Sequence, residues 1–307
     1  MTKTRKRAKR RSTTAVSKTT HLTKKLLVIL GPTAVGKSGF AIEKARQLHS
    51  PVINCDSRQI FRELKIGVAR PSDQQLAAVK HYLIATHSIE DHYTAGLFEL
   101  EALALLEELF KTHDTLVMAG GSGFYIDALC SGLDDFPPAD LEIRERLMQQ
   151  MEGEGLESLQ RELERLDPDT YNSIDISNRQ RVVRALEVTL ATGRPFSSFK
   201  TSPAKERPFE IEKIGLRRNR ESLYARIDAR VDEMMSDGLE AEARSLLQYR
   251  DLPALNTVGY KELFGYFDGE YPLEEAVRLI KRNSRHYAKK QMTYWRRDSS
   301  INWIDLD

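Results

Sequence analysis

The fold is decided by residues 26–38, which read LLVILGPTAVGKS. Leu26–Leu30 is a continuous apolar run of strand length, and Gly31-Pro32 interrupts it. From Ser38 to Leu48 the residues are typical of a helix. A short buried strand followed by a turn and a helix is the first unit of a parallel sheet, so this stretch predicts an α/β protein.

The turn within this stretch matches G-x-x-x-x-G-K-[ST], the pattern of the phosphate loop. Its glycines let backbone N–H groups converge on a phosphate at the helix N-terminus, where the helix dipole also favours an anion. Lys37 would place a positive charge on the outer phosphates, and the Ser38 hydroxyl would ligate Mg²⁺. We therefore predict a nucleotide- or diphosphate-binding loop, of the kind found in ATP-binding proteins, formed by Gly31, Pro32, Thr33, Ala34, Val35, Gly36, Lys37 and Ser38.

Three more strands are predicted further along the chain, at Pro51–Cys55, Thr115–Ala119 and Glu210–Leu216. A helical stretch rich in Leu, Ala and Glu, Leu97–Lys111, precedes the second of them. Strands that alternate with helices form parallel sheets covered by helices. The predicted fold class is α/β, with a P-loop NTPase-like parallel sheet and helices on both of its faces.

The segment between Asp134 and Arg194 is helical and charged, and it contains no strand pattern. We predict helices there at Leu141–Glu152, Leu156–Leu166 and Asn178–Thr192. After Arg220 the chain is helical again, at Ser222–Ser236, Glu240–Tyr249, Tyr260–Phe267 and Leu273–Arg297. The predicted organisation is a P-loop α/β core at 26–134 and 195–307, with an all-α insertion at 135–194.

Residues 1–25 differ from the rest of the chain in charge. They carry ten Lys or Arg and no acid, so the net charge of +2 for the whole chain leaves −8 for residues 26–307. We predict a disordered basic tail with weak, non-specific affinity for nucleic acid. No apolar run approaches the ~18 residues that span a membrane, and Cys55 and Cys130 form neither a metal-spaced pair nor a disulfide framework. The composition excludes disulfide-stapled and integral membrane proteins and favours a reducing compartment.

The strand ends contain an unusual arrangement of acids. A P-loop NTPase usually has an acidic residue at the end of a strand that helps to place Mg²⁺. Here the predicted strand Thr115–Ala119 is followed by Gly120-Gly121, and the acid is instead Asp56, after the strand Pro51–Cys55. Asp56 is therefore either a turn-capping residue or a group that takes part in chemistry, because such folds bind ligands at the carboxyl ends of their strands.

Seven motifs follow one another in order along the chain. They are the phosphate loop, DSRQIF at 56–61, IGVARP at 66–71, GGSGFY at 120–125, NRQRVVRALE at 178–187, VGYKEL at 258–263 and YAKKQMTYWR at 287–296. This set resembles the tRNA dimethylallyltransferase family, and the resemblance runs from about Leu26 to Trp303. The Cys/His zinc finger of eukaryotic members is absent from the sequence, which indicates the bacterial type. Val68, Arg70 and Phe61 depart from the family's usual Thr, Lys and Tyr.

The resemblance implies an activity. Members of the family transfer a dimethylallyl group from dimethylallyl diphosphate to N6 of the adenine at tRNA position 37, next to the anticodon, and release diphosphate. It implies that the phosphate loop holds the diphosphate leaving group instead of hydrolysing ATP, which would account for the missing strand-end acid. It further implies Mg²⁺ as cofactor, the tRNA anticodon loop as partner, helical residues 135–194 as a tRNA-binding insertion, and a monomer in the cytoplasm.

The resemblance also assigns roles to residues. Asp56 is the implied general base for the adenine N6, and the implied catalytic set is Asp56, Lys37, Ser122 and Arg226. For Arg226, a surface ion pair with Asp228 or Glu221 remains the alternative. The implied tRNA contacts are Asp56, Ser57, Arg58, Gln59, Ser122, Arg144, Gln180, Arg181, Val182, Val183, Arg184, Gly259, Tyr260, Lys261, Lys289, Lys290, Gln291, Thr293, Trp295 and Arg296.

The C-terminal helix supports a nucleic-acid contact independently of the resemblance. Residues 276–297 contain eight Lys or Arg and no acid, and their helical spacing predicts a basic stripe that includes Lys281, Arg285 and Lys289. Replacing Lys281 and Arg285 by Ala is predicted to weaken tRNA binding and its salt dependence. Tyr294 and Trp295 would either stack on a base or pack in the core.

Two other functions remain open at this point. A small-molecule P-loop kinase would share the strand, loop and helix, but it would not need a basic C-terminal helix. An RNA-binding accessory protein would use the basic segments, but it would have no use for the phosphate loop or for Asp56.

Overall fold

The computed structural model describes residues 24–200 and 204–307. Apart from Lys24 and Lys25, the basic tail predicted at 1–25 lies outside these ranges. Within them, no helix is both long enough and apolar enough to cross a membrane.

A six-stranded sheet lies at the centre of the α/β part, and its neighbouring strands are all parallel. The strands are β1 (Lys25–Leu30), β2 (Val52–Asn54), β3 (His81–Tyr82), β4 (Thr115–Gly120), β5 (Glu210–Arg217) and β6 (Ile301–Asp305). Their spatial order is β3-β2-β4-β1-β5-β6. The strand order reverses at β1, which lies between β4 and β5, and such reversals are where open parallel sheets bind ligands.

The side chains of β1 explain why helices cover both faces of the sheet. Leu26, Val28 and Leu30 pack into one hydrophobic cluster and Leu27 and Ile29 into a second, as the two-residue period of a strand requires. The first cluster receives residues from α3 (Ala95–Leu109), α4 (Gly123–Ser131), α10 (Leu239–Ser245) and α11 (Tyr260–Phe267). The second receives residues from α1 (Lys37–Gln47), and both α9 (Arg220–Ser236) and α12 (Leu273–Trp295) contribute to the two clusters. The predicted α/β class is confirmed.

Four helices form a unit with its own hydrophobic core. They are α5 (Leu141–Glu154), α6 (Leu156–Leu166), α7 (Pro168–Ser173) and α8 (Arg179–Thr192). Leu147, Leu163 and Leu186 are fully buried between these helices, which turn their apolar sides toward one another. Because this core shares no residue with the two clusters of the sheet, we propose residues 135–194 as an inserted domain.

The sequence does not predict the shortest elements. β3 has two residues, and α2 (Asp73–Ala78) and α7 have six each, which is too short for a periodic pattern. α2 is stabilised instead by a capping box, in which the Ser72 side chain accepts from the Gln75 backbone and the Gln75 side chain accepts from the Ser72 backbone. The sequence does not predict α4 either, which begins directly after Ser122.

Candidate active site

A cleft of about 1990 Å³ opens at the carboxyl ends of β1, β2 and β4. Its floor is formed by the phosphate loop, the segment Asp56–Gln59 and Gly120-Gly121, which are the three segments that follow these strands. Residues 65–75, which end in the first turn of α2, and helices α9 and α12 form further parts of its wall. The position at the reversal of strand order is the one expected for a ligand site.

The phosphate loop has the backbone geometry that its glycines predict. Gly31 and Gly36 have φ of +149° and +118°, a region that favours glycine. A Cβ at Gly31 would lie 2.6 Å from the carbonyl oxygen of Leu216, so β5 leaves no room for a side chain there. Gly36 is the N-cap of α1, so the loop ends at the helix N-terminus, as an anion site requires.

Lys37 lies at the floor of the cleft. Its Nζ donates to the carbonyl oxygens of Gly31 and Pro32, each at 2.8 Å. Burial lowers the pKa of Lys37 to about 8, and the nearby Asp56 carboxylate opposes that shift. The side chain is therefore a cation held next to the loop and only weakly solvated.

Three arginines hold the outer side of the loop. Arg226 Nε donates to the carbonyl oxygen of Ala34 at 2.9 Å, and Arg218 Nε donates to that of Val35 at 3.1 Å. Arg230 Nη1 lies 3.5 Å from Thr33 Oγ1, and burial lowers the pKa of its guanidinium.

The predicted residue Arg226 is thus at the phosphate loop. Among the described residues it forms no ion pair with Asp228 or Glu221, and Asp228 pairs with Arg285 instead. Sequence reasoning missed Arg218 and Arg230.

Asp56 uses its two carboxylate oxygens differently. Oδ1 accepts from the backbone N–H groups of Arg58 (2.9 Å) and Gln59 (3.3 Å), which is the turn-capping role. A Cβ added to Gly121 would lie 3.8 Å from Asp56 Oδ2 and 3.8 Å from Lys37 Nζ. A carboxylate oxygen and an ammonium therefore face the same small space beside Gly121.

Ser122 forms hydrogen bonds with the segment Asp56–Gln59 and is not among the residues that line the cleft. Its Oγ accepts from the Ser57 N–H at 2.8 Å and donates to Ser57 Oγ at 3.0 Å. Gln59 Nε2 donates to the carbonyl oxygens of Val68 and Ala69, at 3.1 and 3.0 Å. The Asp56–Gln59 segment is thus fixed on one side to the end of β4 and on the other to loop 65–71.

Loop 65–71 is held by Glu242, which the sequence did not single out. Its carboxylate accepts from the N–H groups of Ile66 (2.8 Å) and Gly67 (2.9 Å) and from the hydroxyl of Tyr260 (2.6 Å). A Cβ at Gly67 would lie 2.6 Å from the Tyr260 ring, so only glycine fits at that position.

Four of the predicted tRNA contacts have buried side chains. Tyr260 is 0% exposed and Trp295 is 2% exposed in the core of the sheet, and Val182 and Val183 lie in the core of the four-helix unit. Their side chains pack inside the protein, so a contact of these four positions with tRNA stays a prediction and would have to involve the backbone. For Trp295, the packing alternative is the one observed.

Arg144 and Arg184 are directed at a buried carboxylate. Arg184 pairs with Glu187 and donates to the carbonyl oxygen of Pro137 at 2.8 Å, while Arg144 Nε lies 3.5 Å from Glu187 Oε2. Glu187 is 0% exposed. Because a buried charge requires partners, the primary role of both arginines here is to neutralise Glu187.

The basic stripe on α12 is partly neutralised by α9. Lys281 pairs with Asp232 and Arg285 with Asp228, and both cations are about one quarter exposed. Lys289 and Lys290 are exposed, line the cleft and form no ion pair within the described parts of the chain. Of the three stripe residues Lys281, Arg285 and Lys289, the one without an ion pair in the described parts of the chain is thus the one nearest the C-terminal end of the helix.

Gln291 is buried beneath these lysines. Its Oε1 accepts from the Thr33 N–H at 2.9 Å and its Nε2 donates to the Gly121 carbonyl oxygen at 2.8 Å. Its side chain is 7% exposed, with both ends of the amide engaged, and it is among the residues that line the cleft. Its predicted contact with tRNA stays a prediction. Of the other predicted tRNA contacts, the cleft is lined by Asp56, Ser57, Arg58, Gln59, Arg181, Gly259, Lys261, Lys289, Lys290 and Thr293, whereas Gln180 and Arg296 are exposed outside it.

Comparisons with known proteins give matches over most of the chain. A family model described as IPP transferase matches residues 59–298. The tRNA dimethylallyltransferase 2 of Porphyromonas gingivalis is 55% identical, over 91% of this chain and 93% of its own. The tRNA dimethylallyltransferase 1 of Bacteroides thetaiotaomicron is 50% identical, over 91% of each chain.

Solved structures are similar as well. The full-length tRNA isopentenylpyrophosphate transferase from Bacillus halodurans has a TM-score of 0.67 and 34% identity, over 92% of this chain and 90% of that one. A eukaryotic dimethylallyltransferase, described in crystallographic snapshots of its action on tRNA, has a TM-score of 0.73 at 23% identity, over 92% and 74%. At that identity, the second comparison bears on the fold alone.

Proposed function

The chain belongs to the tRNA dimethylallyltransferase (IPP transferase) family and transfers a dimethylallyl group to an adenine of tRNA; we propose that the acceptor atom is N6 of the adenine at position 37, next to the anticodon, and that the donor is dimethylallyl diphosphate. Family membership favours this function over a small-molecule kinase. The reaction also gives the phosphate loop and Asp56 a task that an RNA-binding accessory protein would lack.

The observation that carries the proposal is the convergence of Asp56 Oδ2 and Lys37 Nζ beside Gly121. A carboxylate oxygen without a hydrogen-bond donor among the described residues is available as a base. The cation next to it belongs to a loop built for phosphates. Base and leaving-group site therefore adjoin, as an attack on the carbon attached to diphosphate requires.

The transfer balances with these groups. Adenine N6 forms a bond to C1 of the dimethylallyl group while the bond from C1 to the diphosphate oxygen breaks. The proton of N6 passes to Asp56, since an exocyclic amine conjugated to the ring is a poor nucleophile while it keeps its proton. Lys37, with Arg226 and Arg230 behind the loop, stabilises the negative charge that develops on the departing diphosphate.

Mg²⁺ fits the residues present if the substrate supplies most of its ligands. No group of three His, Cys, Asp or Glu among the described residues forms a metal site, and β4 ends in Gly120-Gly121. Ser38, which lines the cleft beside Lys37, offers a hydroxyl oxygen. Mg²⁺ commonly binds through few protein oxygens together with phosphates and water, so we propose Ser38 as its protein ligand. When bound, the ion would neutralise diphosphate charge.

The tRNA has to place its adenine at the floor of the cleft, next to Asp56 and Lys37. Adenine 37 must leave the anticodon-loop stack, which costs a few kcal/mol and less in a single strand than in a duplex. Arg181 of α8 lines the cleft together with Lys261, Lys289 and Lys290, so we propose that the inserted domain and α12 hold the anticodon loop. We also propose that the protein acts as a monomer, in the cytoplasm, where its tRNA substrate is found.

The test is transfer of radiolabelled dimethylallyl diphosphate to unmodified bacterial tRNA in the presence of Mg²⁺. We expect label in the tRNA, at an adenine that nucleoside digestion identifies as N6-substituted and that is lost when position 37 is changed. ATP turnover with a small acceptor and no label in tRNA would instead support the kinase.

We expect Lys289→Ala with Lys290→Ala to weaken tRNA binding and to reduce its dependence on salt. Each phosphate contact contributes about 0.7–0.9 to the slope of log K against log salt concentration. A titration of tRNA affinity from low to moderate salt measures that slope. The matched control is Lys281→Ala with Arg285→Ala, whose cations already pair with Asp232 and Asp228. If both double variants lost the same amount of salt dependence, the assignment of the free positive charge to Lys289 and Lys290 would be wrong.

We expect kcat/KM for dimethylallyl diphosphate to fall as the pH rises through about 8, where Lys37 loses its proton. Because kcat/KM reports the free enzyme, the lowered pKa of Lys37 should appear as an alkaline limb. Initial rates with tRNA and donor both below their KM values, across about pH 6.5 to 9.5, measure it. Lys37→Arg, which stays charged, should lose that limb. A wild-type profile that is flat across this range would contradict the assignment.

A further inference from the structure

Gln291 connects the two segments that carry the reacting groups. Its amide oxygen accepts from the N–H of Thr33 in the phosphate loop, and its amide nitrogen donates to the carbonyl oxygen of Gly121 after β4, at 2.9 and 2.8 Å. The side chain is 7% exposed, so water does not compete freely for either hydrogen bond. It reaches both segments from α12, a helix 258 residues further along the chain than Thr33.

The second of these hydrogen bonds lies at the centre of the site. A Cβ at Gly121 would lie 2.6 Å from Gln291 Nε2 and 3.8 Å from both Asp56 Oδ2 and Lys37 Nζ. The amide of Gln291 is thus the closest of these three groups to the space that the base and the cation share. Strand pairing joins β1 to β4 as far as Leu30 and Gly120, and the Gln291 amide extends that connection beyond the strands, to Thr33 and Gly121.

Only a neutral amide satisfies both partners at once. Thr33 presents a donor and Gly121 an acceptor, and a glutamine side chain offers one acceptor and two donors on a single planar group. A glutamate of the same shape would retain the bond to Thr33, but it would turn a carboxylate oxygen toward the Gly121 carbonyl and place a negative charge next to the diphosphate site. A methionine would fill a similar volume and form neither hydrogen bond.

We propose, on the basis of the proposed function, that Gln291 is a positioning residue that fixes the phosphate loop against the end of β4. It thereby places the diphosphate site beside Asp56. It acts through Thr33 and Gly121 and does not touch the transferred group. The same helical turn carries Lys289, Lys290 and Thr293, which line the cleft. The residue therefore joins the helix of the proposed tRNA surface to the loop of the donor.

The test compares Gln291→Met and Gln291→Glu with the wild-type chain. For each we would measure the Kd of inorganic diphosphate with Mg²⁺ by calorimetry, and the KM values for dimethylallyl diphosphate and for tRNA. We expect Gln291→Met to raise the Kd and the donor KM about tenfold, the effect of two lost hydrogen bonds. Gln291→Glu should raise both further, through its charge. The KM for tRNA should stay within about twofold, because the amide does not reach the exposed face of α12.

Val277→Ala is the control for general damage to α12, since Val277 packs against the first hydrophobic cluster of the sheet and touches neither loop. It should lower the midpoint of thermal unfolding and leave the donor KM unchanged. A donor KM and diphosphate Kd at wild-type values in Gln291→Met would overturn the proposal, as would an equal rise in the KM for tRNA. If Gln291→Met does not fold, the isosteric Gln291→Glu decides by the same measurements. Absence of transfer by the wild-type chain would refute the proposed function, and the diphosphate Kd would still decide the role of Gln291.

Discussion

Asp56→Asn should lower kcat for dimethylallyl transfer by about 10²- to 10⁴-fold, the range that a positioned general base contributes. The substitution separates the two tasks of this residue. An asparagine side chain keeps an oxygen that accepts from the Arg58 and Gln59 N–H groups, so the turn should survive. It loses the carboxylate oxygen beside Gly121 that would take the N6 proton. Single-turnover rates with saturating tRNA and donor measure the effect on the chemical step.

The control for this experiment follows from the charge of Lys37. The Asp56 carboxylate raises the pKa of Lys37 against the larger effect of burial, so its removal lowers that pKa further. The comparison is therefore made at about pH 6.5, well below the wild-type value, where the ammonium stays protonated. Asp56→Ala, which loses the turn as well, should also reduce thermal stability. A wild-type rate in Asp56→Asn would show that another group takes the N6 proton. A reduced rate counts for Asp56 as the base only if tRNA binding and thermal stability are those of the wild type.

The parts of the site that are local in sequence could be predicted. The phosphate loop is eight consecutive residues whose glycines and lysine each have a physical requirement, and the strand before it is a run of buried apolar side chains. The structure gives Gly31 and Gly36 the positive φ values that the pattern demands. Asp56 was identifiable because it follows a strand directly, and strand ends of a parallel sheet meet at one edge.

The contacts that hold this loop in place could not be predicted from the residues themselves, because they come from distant parts of the chain. Family resemblance implied a role for Arg226, and it implied Gln291 only as a tRNA contact. Arg230 is 197 residues from Thr33, and Gln291 is 258 residues from it. Nothing in the local sequence of α9 or α12 distinguishes these side chains from neighbours that face solvent. Only the packing of both helices against the end of β1 gives them their partners.

The predicted tRNA contacts show a second limit. A motif shared by a family contains residues that pack the core as well as residues that meet a ligand, and the sequence alone does not separate them. Arg181 lines the cleft, whereas its neighbour Val182 fills the core of the four-helix unit. Trp295 and Lys290 show the same division on α12, where one helical face is buried and the other is exposed.

Lys37→Met should lower kcat/KM for dimethylallyl diphosphate by about 10²- to 10³-fold, comparable with the loss of one preorganised donor at a developing negative charge. The affinity for tRNA alone should change little, because Lys37 lies at the floor of the cleft beneath the exposed cations. Steady-state kinetics with varied donor, and tRNA binding measured without donor, give the two values.

The thermal stability of Lys37→Met shows whether Lys37 serves the reaction or stabilises the fold. The pKa of Lys37 is lowered to about 8, so the folded protein holds this proton less tightly than the unfolded chain. The resulting cost to stability is fully present below pH 8 and disappears as the pH rises toward the ordinary lysine value. Methionine carries no charge, so Lys37→Met removes that cost. This gain in stability offsets the loss of the hydrogen bonds to Gly31 and Pro32, and the midpoint of thermal unfolding at neutral pH should therefore not fall. A large fall in that midpoint, with a donor KM like that of wild type, would show that Lys37 serves the loop and not the diphosphate.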